Sequence, residues 1–361
     1  MKITLCLLFL VISANCVLAD DIPPVAQPGE GAYIRGELIY PLDDRPTPQC
    51  HASTIEDTPS GLVAAWFGGK HEKAGDVGIW VSRHEDGGWS PPVEVADGVQ
   101  RGRDYPCWNP VLFRPKDGPL ILFYKVGPSP REWWGVLITS VDGGESWSEP
   151  RKLGKNEKLG QGNPNLVGPV KNKPIQLPDG SILCGSSTEH DGWRVHFEMM
   201  RQNRHGGRWD VSEVIGPINK SSGKFDAIQP TILKHGDGTF QALCRTRQEV
   251  IACTWSQDGG HNWSSLQPTE LPNPNAGIDG VTLENGKHLL VYNHTTFGRG
   301  ILNVATSKHG KEWKPVLTLE KQRGEYSYPA VIQTRDGLVH ITYTFRRRSV
   351  KHVVLDPDRI R

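Results

Sequence analysis

The chain has 361 residues, and its 41 basic and 40 acidic side chains nearly cancel, which excludes a nucleic acid or membrane partner held by bulk charge. Twelve Trp, 40 Gly and 28 Pro speak for many turns and against a helix-rich enzyme. Five of the seven Cys lie beyond residue 20, irregularly spaced and without a C-x-x-C pair, which sets aside a disulfide framework and a zinc site. Those five read as buried thiols, with a Cys50–Cys107 bridge as the alternative.

The first predicted element is a targeting segment. Lys2 precedes an apolar run from Ile3 to Ile12, and Val17-Leu18-Ala19 offers small residues before Asp20-Asp21. Residues 1–19 thus read as a cleaved signal peptide and 20–361 as one domain, secreted or periplasmic, with no membrane span in the mature form. An uncleaved anchor or a lipid on Cys16 is the alternative; the apolar run is short and Asn15 interrupts it.

From residue 50 onward the chain repeats itself with a period of about fifty to sixty residues. Each repeat opens on a polar or aromatic residue followed by a short β-type run. The six openings are Cys50 to Ile55, Trp108 to Phe113, Asn172 to Ile175, Ile228 to Leu233, Ile278 to Leu283 and Tyr326 to Ile332. Polar turns such as Asp117-Gly118, Asp179-Gly180 and Asn285-Gly286 follow, because Gly, Asn and Asp tolerate positive φ. Second runs come at Leu62 to Phe67, Leu120 to Val126, Ile182 to Ser187, Phe240 to Arg245, His288 to Asn293 and Val339 to Phe345. Third runs come at Val77 to Ser82, Val136 to Ser140, Val195 to Met200, Val250 to Ser256, Ile301 to Ser307 and Val350 to Leu355.

The third run ends in a turn of the form S-x-D-G-G-x-x-W at Ser140 to Trp147 and Ser256 to Trp263. Ser82 to Trp89, Arg204 to Trp209 and Ser307 to Trp313 are looser versions, and the Trp is expected to pack into the sheet beneath. Six small sheets with no long helical period predict an all-β, six-bladed β-propeller, closed by Tyr33 to Tyr40 pairing beside Val350 to Leu355.

These turns and their order resemble the sialidase superfamily of BNR, or Asp-box, repeat proteins over nearly all of the mature chain. Phrases such as Pro106-Cys107-Trp108-Asn109-Pro110 and Gly324-Glu325-Tyr326-Ser327-Tyr328-Pro329 are similar to a secreted, sialidase-like subgroup. The resemblance implies a glycoside hydrolase, an exo-α-sialidase, acting on a terminal acidic sugar, with sialic acid the first candidate. It makes Tyr326, in its Tyr-Ser context, the nucleophile and Asp76, after Phe67-Gly68-Gly69, the acid. It makes Arg245, with Arg247 close by, and Arg299 the grip on the sugar carboxylate. Planar guanidinium groups suit that grip because they meet a carboxylate bidentately.

Two places depart from the pattern. Where the family has Arg-Ile-Pro, this chain reads Cys50-His51-Ala52-Ser53, so one arginine of the triad is missing and its role passes to His51, Arg45 or Arg103. Where the family has a Glu assisting the Tyr, this chain has Gln229, with Glu325 or Glu189 as substitutes. His51, Asn109, Lys173, Gln229, Asp279, Tyr326 and Tyr328 form the expected mouth. Lys125, Glu189, Arg245, His294 and Arg346 end or follow five of the six second runs, which describes a pocket of positive bias suited to an acidic glycan or polysaccharide. A uronate-directed lyase or hydrolase using His51, and a non-catalytic carbohydrate-binding propeller, are the alternatives. No cofactor and no metal is implied, and no phosphate loop or dinucleotide fingerprint is present.

Overall fold

In the computed structural model, residues 22–156, 165–203, 208–219, 223 and 225–360 are described; the segment read as a signal peptide lies outside them. Six sheets of antiparallel strands stand around one axis. Blade I holds Gln49–Thr58, Gly61–Gly69 and Gly78–Glu85, with Gly88–Trp89 and Val93–Ala96 on its outer side. Blade II runs Cys107–Phe113, Leu120–Val126, Trp134–Ser140 and Arg151–Lys152; blade III runs Ile175–Gln176, Ile182–Thr188, Arg194–Gln202 and Trp209–Ile215. Blade IV runs Ala227–Lys234, Phe240–Thr246, Val250–Ser256 and Gln267–Pro272; blade V runs Asp279–Thr282, His288–Tyr292, Ile301–Ser307 and Lys314–Lys321.

Blade VI holds Tyr326–Gln333, Val339–Phe345 and Ser349–Leu355, and its outer strand is Tyr33–Leu38 from the other end of the chain. That strand pairs Tyr33 with Leu355 and Leu38 with Lys351, as the sequence predicts. Closure leaves each inner edge facing the axis, which answers the exposed-edge problem of an open sheet. Helix among the described residues is confined to a 3-10 turn at Pro357–Arg359, and no described helix is long and apolar enough to cross a membrane.

The core is a set of seams between adjacent blades. Ile79, Leu112, Leu122 and Ile138 pack between blades I and II, and Leu183, Phe197, Ala242 and Cys244 between III and IV. Tyr33, Val291, Ile341 and Val353 fill the seam between V and VI. The Asp-box turns serve the same seams. Asp142 accepts from Ser140 Oγ at 2.7 Å and from the Glu145 and Ser146 amides at 3.1 and 2.9 Å. These bonds, with that from the Ser146 hydroxyl first, hold its carboxyl below the usual carboxylate range. The Trp does not pack into its own sheet, as expected, but onto the preceding blade: Trp263 of blade IV stacks on Phe197 of blade III at 3.8 Å. The glycines of the turn permit that approach, since a Cβ at Gly260 would meet the Leu183 side chain at 2.5 Å. The looser version at Arg204 to Trp209 falls partly outside the described residues. All five described cysteines are buried thiols.

Two histidine pairs stand among these contacts, one within blade VI and one between blades IV and V. His340 Nδ1 lies 2.9 Å from His352 Nε2, whose Nδ1 meets Glu37 of the closing strand at 3.0 Å. His288 Nε2 lies 3.2 Å from His235 Nδ1 across blades IV and V. Burial, and then the neighbouring histidine, pushes both His340 and His288 down to about 4. A histidine near 6.5 when unfolded and near 4 when folded binds more protons unfolded between those values. Its stabilisation is therefore complete above that window and is lost as pH falls through it. The melting temperature is expected to drop between pH 6.5 and 4, and more shallowly in His288→Gln/His340→Gln; equal slopes would refute the assignment.

Candidate functional site

Four inner strands begin with the same irregularity. The strand register slips between His51 and Thr54, opposite Lys125 and Phe123, between Ile228 and Thr231, and between Ser327 and Ala330. At each slip one residue takes a left-handed conformation: Ala52 (φ 54), Asn109 (φ 40), Gln229 (φ 56) and Tyr328 (φ 53). Such β-bulges re-aim side chains, and backbone held in this region is a mark of functional sites. Pro follows three of the four, at Pro110, Pro230 and Pro329, where its missing N–H fits the broken ladder. In blade III the ladder shortens to Ile175–Gln176, because Lys171 (φ 71) turns the chain across the axis.

The bulges bring a cluster together at one end of the axis. The His51 and Tyr328 rings lie 4.1 Å apart. Arg245 of blade IV donates to the Tyr328 hydroxyl oxygen, to Gln229 Oε1 at 3.3 Å and to Asn275 Oδ1 at 2.9 Å. Arg299 of blade V donates to Asn275 O at 2.9 Å and to Glu325 Oε1 at 2.8 Å, with its guanidinium 5.5 Å from the Tyr328 ring centre. Arg347, which follows the second strand of blade VI, donates to Glu325 Oε2 at 2.8 Å and to Glu72 Oε2 at 2.8 Å. Three guanidinium groups from three consecutive blades are thus linked through Asn275 and Glu325.

Their field and burial set the protonation of the centre. Burial, then Arg347, Arg299, Arg245 and Lys171, holds His51 well below the ordinary histidine value, so the ring is neutral near pH 7. Its Nδ1 is 2.9 Å from Thr344 Oγ1, and its Nε2 is buried without a hydrogen-bond partner, 3.8 Å from Glu325 Oε1. Burial raises the Glu325 carboxyl, but Arg347 and Arg299 more than offset this and leave it below the usual range. With Ser327 also donating to Oε1 at 2.9 Å, Glu325 is a fixed counter-ion and a weak base rather than a proton carrier. Glu189, at the rim of blade III, is shifted the other way: burial raises it against the pull of Arg245. It accepts from Trp193 Nε1 at 3.0 Å, and the Trp193 ring carries Arg245 and Arg247 at 4.8 and 4.4 Å.

The other residues singled out by sequence lie elsewhere. Tyr326 is wholly buried in the seam between blades V and VI, and its hydroxyl accepts from Arg346 Nε at 2.9 Å rather than from Arg245, Arg299 or Arg347. Asp76 is exposed, and its carboxylate accepts from the Lys70 amide at 3.3 and 3.2 Å; on that loop it is Glu72 that touches the cluster. Asp279 lies one step below the bulges and accepts from Thr231 Oγ1 at 2.8 Å, Gly280 N at 3.0 Å and Val331 N at 2.9 Å, which ties blades IV, V and VI. Lys173 points to Thr54 Oγ1 at 3.4 Å, also below the mouth. Asn109 sits at its bulge, nearly buried. Lys125, in the register of Arg245, instead donates to the Val167 and Gly168 carbonyls.

Sequence reading placed Tyr326 on the site through its Tyr-Ser context. The signal for Tyr328 was the residue-before-Pro position shared with Asn109 and Gln229. Arg347 had no comparable signal, being one of three adjacent arginines. Chemically the cluster suits an anion. Among the described residues Arg299 and Arg347 share Glu325, Arg347 also meets Glu72, and Arg245 forms no ion pair, so the cluster keeps a positive bias, and no three His, Cys, Asp or Glu are placed to hold a metal.

Comparison with known proteins agrees with this architecture. No curated protein matches the chain in sequence. A Dyadobacter fermentans protein of unknown function superposes with a TM-score of 0.70 at 15% identity, covering 91% of this chain and 99% of that one. The Hadza microbial sialidase Hz136 superposes with a TM-score of 0.68 at 18% identity, over 90% and 69% of the two chains. The intramolecular trans-sialidase from Ruminococcus gnavus, in complex with oseltamivir carboxylate, gives 0.68 at 14% identity over 91% and 99%. At such identities the likeness is one of fold. Residues 60–341 match the BNR repeat-like domain, and the chain belongs to that family.

Proposed function

We propose that the protein is a secreted exo-acting glycosidase of sialidase type, releasing a terminal acidic sugar, with sialic acid the first candidate, from glycans. The observation that carries this reading is the linked set Arg245, Arg299 and Arg347 around the His51–Tyr328 pair. The set takes the sugar carboxylate, and Arg347 fills the role of the arginine absent at His51. Tyr328 oxygen forms a bond to the anomeric carbon as the glycosidic C–O bond breaks, and its phenolic proton passes to the adjoining neutral His51 ring; sialidases use a Tyr nucleophile where most glycosidases use a second carboxylate. Arg245 donates to that oxygen and holds it in place at the mouth. The leaving oxygen takes its proton from Asp76, by its place on the blade I loop, or from Glu189, whose pKa is raised. Water then cleaves the tyrosyl glycoside, giving a proton to the same carboxylate as base while the Tyr328 oxygen regains its own. Secretion rests on Lys2, the run to Ile12 and Val17-Leu18-Ala19.

One observation favours binding without turnover. Gln229 takes the place of a proton-accepting carboxylate and is bonded to Arg245. Incubation with a fluorogenic sialoside separates the two readings, with Arg299→Ala alongside. Loss of one bidentate contact is expected to lower kcat/KM about 100-fold. Absence of release by the wild-type protein, with sialic acid still bound and Arg299→Ala binding weakly, selects the binding protein. Neither release nor binding of any sialylated or uronate-capped glycan would overturn both.

A further inference from the structure

Away from the mouth, blade V carries a groove of about 590 Å³ lined by Lys287, Lys308, Lys311 and Lys314. We propose that this groove is a second binding site, for a stretch of carboxylated or sulfated polysaccharide. Three of the lysines are exposed and Lys287 is half-buried, and none of the four forms an ion pair among the described residues. Glu312 is the single acidic residue in the lining. The charge is a departure from the repeat. In blades II and IV the equivalent turn has an aspartate, Asp142 or Asp258, that caps the turn's own amides. In blade V the turn reads Ser307-Lys308-His309-Gly310-Lys311-Glu312-Trp313, so His309 stands where the capping carboxylate would be, with Lys308 and Lys311 on either side of it. The turn still folds, because Ser307 Oγ accepts from Gly310 N at 2.9 Å and Trp313 Nε1 reaches Gly310 O at 3.2 Å.

Like charges this close repel within the roughly 8 Å screening distance at physiological salt, and an anion in the groove relieves that repulsion. The overall charge of +1 shows that the excess is local. Trp313 is 8% exposed, so the groove offers cations over a largely covered indole and no free aromatic face on which a nucleobase would stack. The choice of a sugar polymer over a nucleic acid rests on that and on the reading of the mouth.

The test uses the full-length mature protein against heparin, as the sulfated polymer, and polygalacturonate, as the carboxylated one, by titration at physiological salt. Lys308→Ala/Lys311→Ala/Lys314→Ala is expected to weaken binding at least about tenfold, with sialoside turnover and melting temperature unchanged. The triple Lys→Arg variant is expected to bind as wild type. Arg299→Ala is expected to keep polymer binding, and saturating sialic acid to leave it undisturbed, so failure of the mouth reading leaves this site standing. Equal binding by wild type and the triple alanine variant, or tighter binding to single-stranded DNA than to either polysaccharide, would overturn it.

Discussion

Tyr328→Phe is expected to lower sialoside turnover at least about 10³-fold, while Tyr326→Phe stays within about tenfold of wild type. The two tyrosines are two residues apart on one strand, yet the bulge between Ser327 and Ala330 sends them to different surroundings. Tyr328 meets His51 and Arg245 at the mouth; Tyr326 lies in a seam with its hydroxyl on Arg346. Removing the Tyr326 hydroxyl deletes one hydrogen bond to a charged group, worth about 1.5–3 kcal/mol of stability, and no contact to the arginine set. Tyr328→Phe deletes the bond from Arg245 in the same way, so a melting temperature lowered in both, with turnover lost in Tyr328→Phe alone, is the expected pattern. Loss of turnover in Tyr326→Phe with Tyr328→Phe active would restore the assignment that the Tyr-Ser context suggests.

That contrast also marks how far the sequence is legible. Strand phases, the closing strand and the Asp-box turns follow from local rules: turn dipeptides, β-branched runs and a Ser-Asp pair that bonds its own backbone. Leu120–Val126 and Val339–Phe345 fall where the pattern puts them. The other outer strands, such as Lys314–Lys321, are partly exposed and break the apolar pattern, and they are found only in the structure. At the mouth, alternation fails because a bulge inserts a residue and flips every side chain before it. Asp279 and Lys173, polar and at strand starts, look like mouth residues and lie one level down. Arg347 joins the site through Glu325 and Glu72, contacts that link residues far apart in sequence and that no motif encodes.

The level beneath the mouth holds the second large effect: Lys171→Met is expected to cost about 3–5 kcal/mol of stability, or roughly 10 °C in melting temperature. Lys171 crosses the axis from blade III and donates to Asn172 Oδ1 at 2.8 Å, Ile278 O at 2.7 Å and the Pro329 carbonyl of blade VI. Three acceptors match the three protons of an ammonium group, so a methionine leaves them buried and unpaired. Burial lowers the Lys171 pKa to about 7, with Asp279 pulling upward and Lys173 and Arg245 pushing down. An unfolded lysine titrates near 10.4, so between pH 7 and 10 the unfolded chain holds the extra proton and stability from this group rises with pH. Lys171→Met is expected to remove that rise, which denaturant titrations at pH 7 and 9 would show; an unchanged rise would mean that another group causes it. The same bonds place Lys171 on the level beneath Tyr328, tied to the Pro329 carbonyl that follows it. Because Pro329 adjoins Tyr328, slackening this floor is also expected to lower kcat more than it raises KM, a split that a purely global loss of folded protein would not produce.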